Sequence, residues 1–234
     1  MKYIALAVWS MLSVGHVNAG NLGQIGSLVQ DQFHHLSADL GAVAAYKGVT
    51  PATPLGLVGF DVGAELTQTR LTHADVFRAA GVDVSSVYAP KLHITKGLPW
   101  GMDIGTFVSR TSGISGSLIG GEIRYAILDD GLTTPALGVR LSGSKLTGVN
   151  QLDLHTIAAD ATLSKKFLLL TPYAGVGVVR INSEANAIGL KEEKFNKSRT
   201  FIGLNANFLL SNVAIEAERL GSVNSISAKL GFRF

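Results

Sequence analysis

The stretch Ser225-Ile226-Ser227-Ala228-Lys229-Leu230-Gly231-Phe232-Arg233-Phe234 decides the fold. Ile226, Ala228, Leu230, Phe232 and Phe234 fall on one face. Ser225, Ser227, Lys229, Gly231 and Arg233 fall on the other. A period of two belongs to a strand, because successive side chains point to opposite sides of a sheet. A soluble sheet can carry the same pattern, so the rest of the chain must say which kind of sheet this is.

The alternation recurs upstream. Residues 55–68 set Val58, Phe60, Val62, Ala64 and Leu66 against Asp61, Gly63, Glu65 and Thr67. Residues 117–128 set Ile119, Ile123, Tyr125 and Ile127 against Glu122, Arg124 and Ala126. Residues 134–145 and 198–210 repeat it, and weaker versions lie at 87–96, 101–110, 152–164, 168–181 and 213–220. With the last stretch this predicts about ten strands, most long enough to cross a bilayer at the usual tilt. Residues 41–47 are a further candidate, which would call for twelve.

Composition agrees with a membrane sheet. The chain has 234 residues, 47% apolar and only 16% charged, with mean hydropathy +0.30. Soluble domains carry about a quarter charged residues. Past the first twenty residues no apolar run nears the length of a spanning helix. A chain that is apolar overall without such a helix suits a membrane barrel, whose lipid-facing residues are diluted by lumen residues. A net charge of +3 is too small to point to a nucleic-acid partner. Without cysteine the chain forms no disulfide.

Proline and loop length give the expected topology. Pro54, Pro99, Pro135 and Pro172 each open an alternating run, as a residue without a donor can at a strand's start. Their spacing fits one hairpin with its connections. Connections near 97–100, 129–133, 165–167 and 211–212 are short. Those near 69–86, 111–116, 146–151, 182–197 and 221–224 are longer on average. In bacterial membrane barrels short turns face the periplasm and longer loops face outward.

The first 54 residues read differently. Met1-Lys2, an apolar run from Ile4 to Gly15 and Val17-Asn18-Ala19 before Gly20 predict a secretory signal peptide over residues 1–19. Residues 20–54 read as an amphipathic helical segment and linker. Leu22, Ile25, Val29, Phe33, Leu36 and Leu40 recur at helical steps. The polar side carries no Lys or Arg, which favours packing against the barrel over lying on a membrane surface. Lys47-Gly48-Val49-Thr50-Pro51 reads as a linker, and residues 55–234 as the barrel.

Taken together, the alternating strands, the Thr171-Pro172-Tyr173-Ala174-Gly175-Val176-Gly177 opening and a last strand carrying Leu230, Phe232 and Phe234 resemble the small bacterial outer-membrane β-barrels. The fold expected is all-β, an antiparallel transmembrane barrel with an N-terminal amphipathic helix. The resemblance implies export to the outer membrane of a Gram-negative cell and contact with membrane lipids and lipopolysaccharide. It also implies handling by the barrel-assembly machinery through Leu230, Phe232 and Phe234, and a monomer. It reaches only to the class, and fold does not fix activity.

The inward positions carry both signs of charge. Asp61, Glu65, Asp103, Glu122, Asp160, Glu216 and Glu218 oppose Lys91, Arg124, Arg140, Arg180, Lys229 and Arg233. In a small barrel such residues fill the interior and pair across it, which predicts a closed or narrow lumen. The expected role is a non-enzymatic structural or surface-contact barrel, or a narrow channel for small or apolar solutes. The alternative is a lipid-modifying hydrolase or acyltransferase using His155. Asp153 sits two residues before it, and Ser109, Arg110, Ser112 and Ser115 lie around a neighbouring outer loop. His34, His35 and His73 show no ligand spacing, so neither metal nor cofactor is expected.

Overall fold

The computed structural model describes residues 22–187 and 189–234. The expected signal peptide, residues 1–19, lies outside them. Among the described residues ten strands form one closed antiparallel barrel. They are β1 (Phe60–Arg70), β2 (Ser86–Gly97), β3 (Met102–Arg110), β4 (Ser117–Leu128) and β5 (Ala136–Thr147). Then follow β6 (Leu152–Ser164), β7 (Leu170–Ala185), β8 (Glu193–Phe208), β9 (Ser211–Leu220) and β10 (Val223–Arg233). Each strand pairs with its chain neighbours, and β10 closes on β1 in the register Asp61↔Arg233 and Glu65↔Lys229. Phe60 and Phe234 complete the seam by exchanging backbone hydrogen bonds of 2.7 and 3.0 Å. Closure leaves no sheet edge, which is what a sheet in lipid requires.

The alternation sorts the wall. Val62, Leu92, Ile94, Ile104, Ile123, Leu141, Ile157, Val176, Ile202, Ile215 and Ile226 are exposed on the outer face, while Asp61, Glu65, Asp103, Asp160 and Glu216 are buried inside. An apolar girdle running right round the wall is untenable in water and natural in a bilayer. The protein is a transmembrane β-barrel. The end bearing the connections 98–101, 129–135, 165–169 and 209–210 is called the turn end below, and the other the loop end.

Several boundaries differ from the sequence reading. The first strand starts at Phe60, not 55. The 182–197 loop is mostly strand, because β7 and β8 pair out to Ser183↔Glu193. The connection between β9 and β10 is only Gly221-Ser222, where Gly221 takes a φ of 58°. The β1–β2 connection carries a short helix, α2 (Ala74–Ala79), which the sequence reading took as loop. Residues 41–44 are helical, which removes them as a strand.

The N-terminal segment is inside the barrel. A helix α1 (Gln30–Ala44) packs on β5, β6, β7 and α2 at the loop end. Its stripe residues Phe33, Leu36 and Leu40 are buried, but Val29 is exposed. From Leu36 to Pro51 every residue is buried, on all sides and not along one stripe. The supposed linker therefore runs down the lumen. Gly41 is required where α1 meets β7, since a Cβ there would run into the side chain of Ile181. Gly48 is required likewise against the Arg140 guanidinium.

Candidate functional site

The lumen has two layers. At the loop end Leu22, Ile25, Leu28, Phe33, Leu36, Leu40 and Val43 form an apolar core with Phe77, Phe107, Leu118, Leu146, Leu152 and Leu154. Toward the turn end the inward residues become charged.

Three chains of ion pairs make up the charged layer. Arg199, fully buried on β8, places Nη1 3.0 Å from Asp160 and Nε 2.9 Å from Glu218. Arg140 joins it at 2.9 Å from the same Asp160 and reaches Glu122 at 3.7 Å. Arg124 then links Glu122 at 3.4 Å to Asp103 at 2.9 Å. Glu65 is held by Lys91 and His93, each at 2.6 Å. Asp61 is held by Lys229 at 2.8 Å and Arg233 at 2.6 Å, across the closing seam. Glu216 accepts a 2.9 Å bond from the Tyr173 hydroxyl. Charges taken out of water are tolerated only with this density of partners.

The N-terminal segment threads between these groups. Ser37 on α1 donates to Ser183 on β7 at 2.9 Å. Further down, Ser144 donates to the Ala44 carbonyl and Arg199 to the Tyr46 carbonyl, each at 2.5 Å. The buried Lys47 ammonium caps α1 by donating to the Ala42 carbonyl at 2.7 Å, and lies 3.3 Å from Glu218. Val49 is buried with a φ of 45°. A β-branched residue holds that conformation only when its surroundings impose it. Nearer the turn end Thr50 meets Arg233 at 3.1 Å, Pro51 accepts from Arg124 at 3.3 Å, and Ala52 donates to Ser164 at 3.1 Å. Leu55 donates to Asp103 at 3.0 Å, shortly before β1 begins. The chain thus enters at the loop end and leaves at the turn end, bonded to the wall along the whole path.

Of the charged residues named from the sequence, twelve face this lumen and Arg180 does not. Arg180 is exposed on the outer face of β7, sharing its register with Ile157. An arginine is tolerated on the lipid side there because its cost falls near the membrane interface. Three lumen groups were missed: Lys47, His93 and Arg199. Arg199 has the parity of Asn205 within the stretch 198–210, and His93 that of Lys91 within 87–96, so parity alone places both inward. Lys47 carried no such signal, because a linker has no parity.

Asp153 and His155 lie on the outer face of β6 near its loop end. His155 Nδ1 is 3.8 Å from Asp153, and its Nε2 is 2.9 Å from Asn182. Asp153 is itself taken by Lys145 at 2.7 Å. Ser109 is buried on the inner face of β3, so its hydroxyl and the His155 ring are on opposite sides of the wall. Ser112 lies between β3 and β4, where it donates to the Tyr88 carbonyl. At the loop end His73 pairs with Asp39 at 3.3 Å and His34 with Glu193 at 2.7 Å, while His35 stacks on His73. Among the described residues no such group is placed to hold a metal ion.

No known protein family matches the chain, and no curated protein sequence matches it. Solved structures are similar to it over about three quarters of its length. The N-terminal β-barrel domain of Pseudomonas aeruginosa OprF is 15% identical, with 74% of this chain and 97% of that one covered and a TM-score of 0.38. Neisserial surface protein A is 10% identical, covering 75% and 94% with a TM-score of 0.36. Ail of Yersinia pestis is 11% identical, covering 75% and 97% with a TM-score of 0.31. The barrel fold of this chain rests on its own strand pairing, closed from β1 round to β10.

Proposed function

We propose that the protein is a closed outer-membrane barrel with a structural or surface-contact role, and that its own N-terminal segment stoppers the lumen. The observation that carries this is the burial of every residue from Leu36 to Pro51 inside the wall, bonded to β4, β5, β7, β8 and β10, with Ala52 and Leu55 adding bonds to β6 and β3. A diffusion pore needs a continuous wet path, and a lining biased to one sign if it selects ions. Here both signs are paired and the axis holds polypeptide.

In this reading the turn end faces the periplasm and the loops face outward. The β10 strand, with Leu230, Phe232 and Phe234, serves as the element that the assembly machinery engages. The surface offered to partners is the loop end, where α1, α2 and the β7–β8 connection meet. The fold is complete within one chain, which supports a monomer.

Planar-bilayer conductance tests the proposal. The mature full-length chain should give no steps, and a chain lacking residues 20–54 should give steps. Steady steps from the full-length chain would mean an open channel and overturn it.

A further inference from the structure

The outer wall is asymmetric in a way that the lumen does not explain. Five strands run toward the loop end, and each carries one outward-facing cation in its last six residues: Arg70, Arg110, Lys145, Arg180 and Arg219. Lys145 is paired with Asp153, and Arg219 donates to the Gly221 carbonyl at 3.1 Å. Arg70, Arg110 and Arg180 have no ion pair or hydrogen bond of their side chains among the described residues. The turn end differs. Its outward strand cation, Lys96, is spent on the carbonyls of Leu57 and Gly59. Its rim is aromatic instead, with Trp100, Tyr125, Phe167, Phe208, Phe232 and Phe234 exposed.

Below Arg110 the lipid-facing wall is indented. A groove of about 690 Å³ crosses β1 to β4, walled by Leu66, Leu92, Val108 and Ile119, with Arg110 at its loop end. Its floor is shallow because Ala64 and Pro90 are small. The outward acids on the strands of this rim, Asp153 and Glu184, lie on β6 and β7, away from the groove; on the β1–β2 connection beside it, Asp83 is paired with Arg78 and Asp75 stands in the first turn of α2. A free guanidinium over an apolar slot matches one chemistry: an anionic head on a hydrocarbon chain. Arginine's forked donors suit phosphate in particular.

We infer that this groove seats a phosphorylated lipid of the outer leaflet, with an acyl chain along Leu66, Leu92, Val108 and Ile119 and a phosphate on Arg110. Arg70 and Arg180 extend the cationic rim to neighbouring lipids. The inference deepens the outer-membrane reading and rests on it.

The test uses the full-length mature chain refolded into phosphatidylcholine vesicles. One set is doped with diphosphorylated lipid A, the other with the same lipid stripped of its phosphates. Lipid retained per barrel is counted by native mass spectrometry after extraction, and protease resistance of the barrel is scored separately as insertion. The phosphorylated lipid should be retained preferentially. Arg110→Gln should weaken that retention about tenfold, the scale of one lost charge-assisted contact. Lys166→Gln, exposed in the 165–169 connection at the turn end, should leave it unchanged. Equal retention of both lipids, or an unaltered Arg110→Gln, overturns the inference. So does release of the lipid by equimolar inorganic phosphate, which would reduce the site to anion binding. A chain that inserts into neither vesicle overturns the membrane reading itself.

Discussion

The loop-end and turn-end halves of the lumen are built from the same ten strands and are held by opposite means. In the loop-end half Leu118, Leu146, Leu152 and Leu154 turn inward and meet Phe33, Leu36, Leu40 and Phe77 as in an ordinary core. In the turn-end half the inward positions of those same strands are Glu122, Arg124, Arg140 and Asp160, joined through Arg199. The difference teaches what each half does for the N-terminal segment. The apolar half gives α1 a core to fold against, through non-directional burial. The ionic half grips an extended strand of backbone, whose exposed carbonyls need donors at defined places. Arg199 meeting the Tyr46 carbonyl and Arg124 meeting that of Pro51 are those donors.

Breaking each half should therefore look different. The largest loss is expected from Arg199→Ala, which takes a buried partner from both Asp160 and Glu218 and leaves them only Arg140 and Lys47. Removing one partner of a buried pair costs about 3–5 kcal/mol. Urea unfolding of the refolded protein in vesicles should show the whole barrel destabilised. Leu40→Ala in the apolar half should cost about 2–5 kcal/mol as a core cavity. Its signature should be local, with protease cleaving within residues 22–54 while the barrel stays intact. Tyr173→Phe removes the hydroxyl on Glu216 and should cost about 1–3 kcal/mol, the penalty of an unsatisfied buried group. Outside both halves, His155→Ala should shift stability by no more than about 0.5 kcal/mol. It should also leave the membrane lipid profile unchanged, which a catalytic His155 would not.

The ten strands and their inward charges were legible because a period of two survives any side-chain chemistry that respects the wall. Asp61, Glu65 and Lys229 could be placed from alternation alone. The apolar half was not legible, since an inward Leu118 or Leu154 looks the same in sequence as a lipid-facing one. Burial against a helix and burial against lipid ask for the same residues. The path of 45–54 was invisible for a second reason. Lys47-Gly48-Val49-Thr50-Pro51 has the composition of a loop, and its burial follows only from Arg140, Arg199 and Glu218 lying around it. Arg180 shares the parity of Val176 and Val178, so the same alternation that places Asp61 and Glu65 inside places it outside.

The claim that joins these observations is that α1 sits inside the wall of its own barrel. The chain contains no cysteine, so a pair can be introduced cleanly. Ser37 and Ser183 bring their hydroxyl oxygens within 2.9 Å of each other. The variant Ser37→Cys with Ser183→Cys, folded in membranes and oxidised, should form one intramolecular disulfide that shifts the denatured chain on a gel. A pair that stays reduced in the folded barrel, or that links only different molecules, would place α1 outside the lumen and contradict the account.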